Sequence, residues 1–257
     1  ARTVADAALM LDALVSAAPY RYATGAPTWD GGAFLNAAVR GEGRYQLGLT
    51  TFSPWSTAYD VRVSPEARAA VDAAVAELSA IGHGIEEFSP PEEDGYPPAF
   101  RTVWQAGAAG IPVEGDDVQR LEPLTRWLLE VGRGVSARQL GDATAWLTQF
   151  ERRLITAFDP YDAVLTPTLA MPPRPLGWYD AEDGDRNFAQ QVEFTPFTSM
   201  INVAGLPAIT LPVSMTAEGL PMGVQLIGRP GREDVLLSIG AQLERRIGWQ
   251  KRHPPQW

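Results

Sequence analysis

The feature that most constrains the fold is a helix pattern that lies between two short strand patterns. Ser64 and Pro65 are typical of a helix N-terminus, and Gly82 is typical of a helix end. Apolar residues recur between them at the spacing of one helix face. Strand patterns occur at residues 45–49 and 85–88. Because a connection through a helix joins parallel strands, we expect a βαβ unit in this region.

The rest of the chain alternates further helix patterns with short strands. Helices are predicted at residues 3–16, 97–109, 117–132, 136–158, 194–204 and 232–247. Strands are predicted at residues 163–165, 209–213 and 222–227, the last two as an antiparallel hairpin. Residues 19–43 are predicted to be a loop with one short helix, and residues 170–190 an irregular surface loop or lid. The predicted fold class is α/β, with a mixed parallel and antiparallel sheet covered by helices.

Composition excludes several classes of function. The net charge of −10 argues against a nucleic-acid partner, because binding to phosphates needs a basic face. The chain has no cysteine and only two histidines, His83 and His253, so a thiolate nucleophile and a histidine-rich metal site are excluded. No apolar segment has the roughly 18 residues that a membrane span needs. We therefore expect a cytoplasmic protein with no metal, no cofactor and no membrane contact.

The residue types alone do not reveal a catalytic group. His83 lies between a predicted helix and a strand, and we interpret it as a residue at a helix C-terminus, where a cation is favoured. Carboxylates cluster at residues 92–94 beside several prolines, which is typical of solvated surface charge. No glycine-rich phosphate-binding motif is present. From these residues alone the function stays open.

Five segments together resemble the C-terminal half of hydrolases of the amidase signature family. They include Asp-Ala-Val-Leu-Thr-Pro-Thr at 162–168, Asn-Val-Ala-Gly-Leu-Pro-Ala-Ile-Thr-Leu-Pro at 202–212 and Gly-Leu-Pro-Met-Gly-Val-Gln-Leu-Ile-Gly at 219–228. The helix pattern at 2–14 and the segment 231–234 match the family's order and spacing. The resemblance therefore extends from one end of the chain to the other.

The resemblance implies hydrolysis of a carboxylic amide by a serine nucleophile, a second serine in a cis peptide and a lysine base. In the family these groups precede the helix that resembles residues 2–14. This sequence has no adjacent serines, and its single lysine, Lys251, does not stand where the family's base lies. We therefore expect residues 1–257 to be the C-terminal portion of one amidase signature domain. The N-terminal catalytic portion is expected to be absent, and this chain alone is expected to be inactive.

What the resemblance implies for this half is a wall of the substrate pocket. By position, the candidate substrate-binding residues are Trp104, Thr166, Thr168, Thr195, Phe197, Thr198 and Asn202. Packing in the core is the alternative role for each of them. Relatives that amidate glutamate on transfer RNA carry an aspartate near the position of Thr195. Its absence here favours an apolar or aromatic amide over a substrate with an ammonium group.

The implied partners are a small-molecule amide and the N-terminal half of the same enzyme, and a homodimer is left open. One alternative is a non-catalytic binding or assembly subunit, either a pseudoenzyme or one half of a split protein. Another alternative is an independent hydrolase that uses His83. Half of a sheet should have an unpaired strand edge and exposed apolar surface, which gives the structure a feature to test.

Overall fold

The computed structural model describes residues 1–16 and 33–252 of the chain. Its helices are α1 (Val4–Ser16), α2 (Phe34–Arg40), α3 (Pro65–Ile81), α4 (Tyr96–Ala109), α5 (Pro123–Gly132), α6 (Ala137–Phe158), α7 (Gly184–Phe194), α8 (Ser199–Ala204) and α9 (Glu233–Ile247). Its strands are β1 (Gln46–Leu49), β2 (Gly84–Glu87), β3 (Ala163–Pro167), β4 (Ala208–Met215) and β5 (Pro221–Gly228). His253 and residues 19–32 of the predicted loop lie outside the described residues.

The strands form one mixed sheet in the order β2-β1-β3-β5-β4. Strands β2, β1 and β3 are parallel, and β5 runs antiparallel to both β3 and β4. Side chains of β3 alternate between two clusters of buried residues: Ala163 and Leu165 belong to one, and Val164 belongs to the other. The sheet therefore has an apolar core on each face. This confirms the predicted fold class, the βαβ unit and the hairpin.

Helix α3 shows why its limits could be predicted from the sequence. The Ser64 hydroxyl accepts a hydrogen bond from the backbone N–H of Ala67 over 3.2 Å, which caps the first turn. At the other end, Gly82 adopts a φ of 106°, a left-handed conformation that favours glycine. The predicted helix at residues 64–82 is confirmed.

Three predicted elements need correction, and proline or a capping residue explains each of them. Residues 117–132 are not one helix, because Pro123 starts α5 and the segment Gly115–Arg120 is a separate 3-10 helix. Pro196 lies in the predicted helix at 194–204, where Phe194 ends α7 and a separate helix, α8, begins at Ser199. The prediction of an irregular segment at 170–190 is wrong from residue 184. There, Asp183 caps α7 by accepting the N–H of Arg186 over 3.0 Å.

Strand β4 forms one edge of the sheet, and within the described residues it pairs with β5 alone. Large apolar side chains lie exposed on α1 and β4: Leu9, Met10, Leu14, Val15 and Met215. A groove of about 520 Å³ runs between the first turn of α1, β4 and Trp249. The structure thus has the open strand edge and the exposed apolar surface that half of a sheet should have.

The first residues of the chain are bonded to its last helix and to the segment that follows it. Glu244 of α9 accepts the N–H of Val4 over 3.0 Å and so caps the first turn of α1. The Arg2 guanidinium donates to the carbonyl of Arg252 over 2.6 Å, and the Trp249 indole donates to the carbonyl of Arg2 over 3.1 Å. The two ends of the described chain therefore lie side by side.

His83 is a neutral core residue in this fold. It is only 5% exposed, and its Nδ1 atom accepts the N–H of Tyr45 over 3.1 Å. Burial lowers the pKa of His83, and the nearby charge of Arg44 lowers it further. The predicted position at a helix C-terminus is confirmed, because His83 follows Gly82 and its backbone N–H bonds to the carbonyl of Leu78. The predicted positive charge is wrong, because burial penalises the charged imidazole.

We expect acidification from pH 7 to pH 5 to destabilise the fold through His83. An unfolded histidine has a pKa of about 6.5, and the folded value is lower, so the unfolded state binds more protons below that pH. The stabilisation from neutral His83 is therefore complete above the unfolded pKa and is lost as the pH falls towards the folded pKa. Urea midpoints of the wild type and His83→Asn at both pH values measure this.

The asparagine in His83→Asn keeps an acceptor for the Tyr45 N–H but cannot titrate. This variant should therefore lose less stability between pH 7 and pH 5 than the wild type does. Equal losses for the two proteins would show that His83 does not control this pH dependence.

Candidate functional site

A cavity of about 500 Å³ opens between α4, α5, α7 and α8. It is lined by Trp55, Phe100, Trp104, Leu124, Phe188, Gln191, Val192, Thr195, Thr198, Ser199 and Asn202. None of these side chains is charged. Apolar walls with a few convergent polar groups, at this volume, are typical of a small-molecule site. The groove beside β4 is similar in volume but lies on the exposed apolar face at the edge of the sheet.

Aromatic side chains form the apolar wall of this cavity. The ring of Trp104 stacks on Phe100, with ring centroids 5.3 Å apart and planes 18° from parallel. Trp55 packs edge-on against Phe100 at 5.1 Å and against Phe188 at 5.9 Å. Trp104 is 54% exposed, so it stands at the mouth, whereas Trp55 is 2% exposed. The wall therefore presents aromatic surface from the inside of the cavity to its opening.

Arg101 connects the helices that surround the cavity. From α4 it bonds to Asp185 of α7 and donates to the Tyr59 hydroxyl over 3.2 Å. Its guanidinium also lies over the rings of Trp127 in α5 and Phe188 in α7, at 5.5 and 5.1 Å from their centroids. These contacts fix α4, α5 and α7 relative to one another while the charge of Arg101 stays outside the lining.

The structure separates the sequence-predicted site residues into two groups. Four of them line the cavity: Trp104, Thr195, Thr198 and Asn202. Thr166 and Phe197 are fully buried and do not line it, and Thr168 is half-buried directly after β3. The part that each residue plays in substrate binding stays a prediction.

The polar side chains in the cavity that were predicted to bind substrate donate hydrogen bonds to backbone carbonyls. The Thr195 hydroxyl donates to the carbonyl of Gln191 over 2.9 Å, and the Thr198 hydroxyl donates to the carbonyl of Thr195 over 3.4 Å. The Asn202 amide donates to the carbonyl of Thr198 over 3.3 Å. These bonds hold the segment between α7 and α8 in shape.

Gln225 links this segment to the sheet. Its Nε2 atom donates to the Thr166 hydroxyl over 3.1 Å and to the carbonyl of Phe197 over 3.2 Å, and all three residues are buried. Gln225 thereby joins β5, β3 and the segment between α7 and α8. The sequence gives one indication of this linking role, because Gln225 is the polar residue in an otherwise apolar part of β5.

We expect Gln225→Met to lower the free energy of unfolding by about 1–3 kcal/mol, because two buried acceptors lose their donor. Methionine fills a similar volume without a donor. Chemical denaturation of the wild type and the variant measures the difference. Gln149→Met on the exposed face of α6 is the matched control and should change stability by less than about 0.5 kcal/mol. Equal effects of the two substitutions would contradict a linking role for Gln225.

Comparison with known proteins identifies the family to which this fold and sequence belong. A family model described as Amidase matches residues 1–237. The chain belongs to the amidase signature family. Mixed sheets covered by helices are also the fold of the solved amidase signature enzymes that it resembles. Within the described residues, no helix is long and apolar enough to span a membrane.

Two curated relatives and one solved structure show how this amidase-family chain compares with known proteins. It is 33% identical to the amidase-family protein AmiB2 of Mycobacterium tuberculosis, over 99% of this chain and 52% of AmiB2. It is 27% identical to the 6-aminohexanoate-cyclic-dimer hydrolase of Paenarthrobacter ureafaciens, over 99% of this chain and 54% of that enzyme. The solved structure of a 6-aminohexanoate cyclic dimer hydrolase with its substrate superposes with a TM-score of 0.81 at 26% identity. That match covers 99% of this chain and 55% of the hydrolase. The chain thus spans about half the length of the curated relatives it matches.

Proposed function

We propose that residues 1–257 form the C-terminal, substrate-binding half of an amidase. The complete enzyme would hydrolyse the C–N bond of a carboxylic amide to an acid and an amine or ammonia, in the cytoplasm. The observation that carries this proposal is the uncharged, aromatic cavity in a chain of this family. Such a lining suits a neutral small-molecule amide, because a charged substrate would lose its hydration without gaining a partner.

In this proposal the N-terminal half supplies the reacting groups that the family resemblance implies. A serine hydroxyl would attack the carbonyl carbon while a second serine and a lysine move its proton to the departing amine. Water would then cleave the resulting ester and release the acid. The part of this chain is to hold the amide beside those groups and to exclude water from the aromatic wall.

The open edge of β4 supports an N-terminal half as the partner. An unpaired strand edge presents backbone N–H and C=O groups that another strand can bond. The exposed side chains of Met10 and Leu14 lie on α1 beside that edge and would be covered by the same partner. In the relatives, the part that this chain does not match amounts to about half of their length.

Sequencing the reading frame upstream of Ala1 tests the proposal against its main alternative. We expect an upstream lysine and a glycine- and serine-rich segment in the same frame or in a neighbouring gene. A non-catalytic assembly subunit would be encoded without such a segment. Its absence from both positions would contradict the proposed amidase half and favour the assembly subunit.

A further inference from the structure

We propose that Ser199 donates a hydrogen bond to the substrate, and that the cavity takes neutral ligands in which a carbonyl oxygen adjoins an aromatic or other apolar group. Ser199 lies in the first turn of α8 and lines the cavity. This inference rests on the proposed function and specifies how the same cavity selects its ligand. It follows from the hydrogen bonds that the Ser199 hydroxyl already makes.

The first of these bonds has a fixed direction. The Nε1 atom of Trp55 lies 2.8 Å from the Ser199 Oγ atom. An indole nitrogen can donate but cannot accept a hydrogen bond. Ser199 therefore accepts from Trp55 with one of its two lone pairs.

The direction of the second bond follows from burial. The hydroxyl of Tyr96 lies 2.9 Å from the Ser199 Oγ atom, and Tyr96 is fully buried. If Ser199 were the donor, the hydrogen of Tyr96 would be left in the core without an acceptor, which costs about 1–3 kcal/mol. Burial also raises the pKa of Tyr96, so this phenol keeps its hydrogen. Tyr96 is thus the donor, and the second lone pair of Ser199 is filled.

The hydrogen of Ser199 is then left for a ligand. Both lone pairs of its oxygen are occupied, and the described part of the chain offers this hydroxyl no further hydrogen-bond partner. By contrast, the hydroxyls of Thr195 and Thr198 donate to backbone carbonyls. Two donors to one oxygen also polarise its O–H bond and strengthen it as a donor. A carbonyl oxygen in the cavity would complete the chain of hydrogen bonds.

The surroundings of Ser199 define the rest of the ligand. Rings of Trp55, Phe100 and Phe188 form the adjacent wall, and no charged side chain lines the cavity. An ammonium or carboxylate would have no counter-charge there and would pay the cost of desolvation. A neutral compound with a carbonyl next to a ring, such as an anilide, matches both the donor and the wall.

Binding of two related probes to the 257-residue chain tests this inference. Acetanilide carries the carbonyl oxygen, and N-ethylaniline has a similar shape without it. Titrations monitored by ligand-observed NMR give the affinities for acetanilide and N-ethylaniline. Their ratio is the preference of the wild type for acetanilide. In Ser199→Ala we expect this preference to fall roughly tenfold, the value of one hydrogen bond of about 1.4 kcal/mol. A general loss of structure would weaken the binding of both probes and leave the ratio of their affinities unchanged.

Two further variants complete the test. Ser199→Cys keeps a side chain of similar size with a weaker donor, so it should also lose the preference if Ser199→Ala does not fold. Ser79→Ala on the exposed face of α3 is the matched control and should keep the preference. If both Ser199 variants kept the preference for acetanilide over N-ethylaniline, the role of Ser199 would be overturned. The same conclusion would follow if the wild type bound both probes equally well. A wild type that binds neither probe would contradict the proposed substrate-binding half as well.

Discussion

The 257-residue chain is expected to hydrolyse no amide by itself, and to gain amidase activity when the N-terminal half of a related amidase is joined to it. The sequence holds no adjacent serines, and its single lysine is Lys251. A fusion that takes the N-terminal half of AmiB2 of Mycobacterium tuberculosis suits the test, because that relative is 33% identical over nearly all of this chain. Release of aniline from acetanilide measures turnover. Relative to the uncatalysed reaction, we expect acceleration of roughly 10⁶-fold or more.

The matched control for this fusion replaces the nucleophilic serine of the added half by alanine. This control should fold and bind equally well but should turn over no substrate. Turnover by the purified chain without any added half would contradict the prediction. If that turnover were lost in His83→Ala, the independent hydrolase would be the correct interpretation.

Gly132→Ala is expected to destabilise the fold by several kcal/mol and to disturb the cavity. Gly132 ends α5 where this helix touches α4, and a methyl group there would overlap the carbonyl oxygen of Gln105. That oxygen belongs to the backbone of α4, so it cannot move aside as a flexible side chain could. The two helices must therefore separate, which costs packing across the walls that Trp104 and Leu124 provide. Chemical denaturation and acetanilide binding measure the two effects.

Gly107→Ala is the control for this substitution, because Gly107 lies in α4, the helix that Gly132 approaches. A methyl group at Gly107 would meet no atom within 4 Å. Since alanine is the better helix former, this variant should be as stable as the wild type or up to about 1 kcal/mol more stable. Similar losses in both variants would show that the approach of α5 to α4 is not the limiting contact.

Much of the fold could be predicted because its signals are local. Ser64, Pro65 and Gly82 carry the chemistry of the two ends of α3, and alternating apolar residues reveal the β4–β5 hairpin. The corrections have local causes too. Pro123 divided a predicted helix, and Asp183 started one in a segment that was predicted to be irregular.

The candidate site could be predicted only in part, because its contacts join distant segments. The bond from Trp55 to Ser199 spans 144 residues, and the bond from Tyr96 to the same hydroxyl spans 103. No local pattern marks a serine that accepts two such donors. Gln225 shows the same difficulty, since its bonds to Thr166 and Phe197 exist only after β3, β5 and the segment before α8 assemble.

The contact between the two ends of the described chain has a consequence for rearranging its gene. Because Arg2 bonds to Arg252 and Val4 to Glu244, a short linker could join the ends with little loss of entropy. New termini could then be opened in an exposed loop, such as the segment around Gly177. A circular permutant of this kind would keep every strand pairing of the sheet while changing the order in which its elements emerge during synthesis.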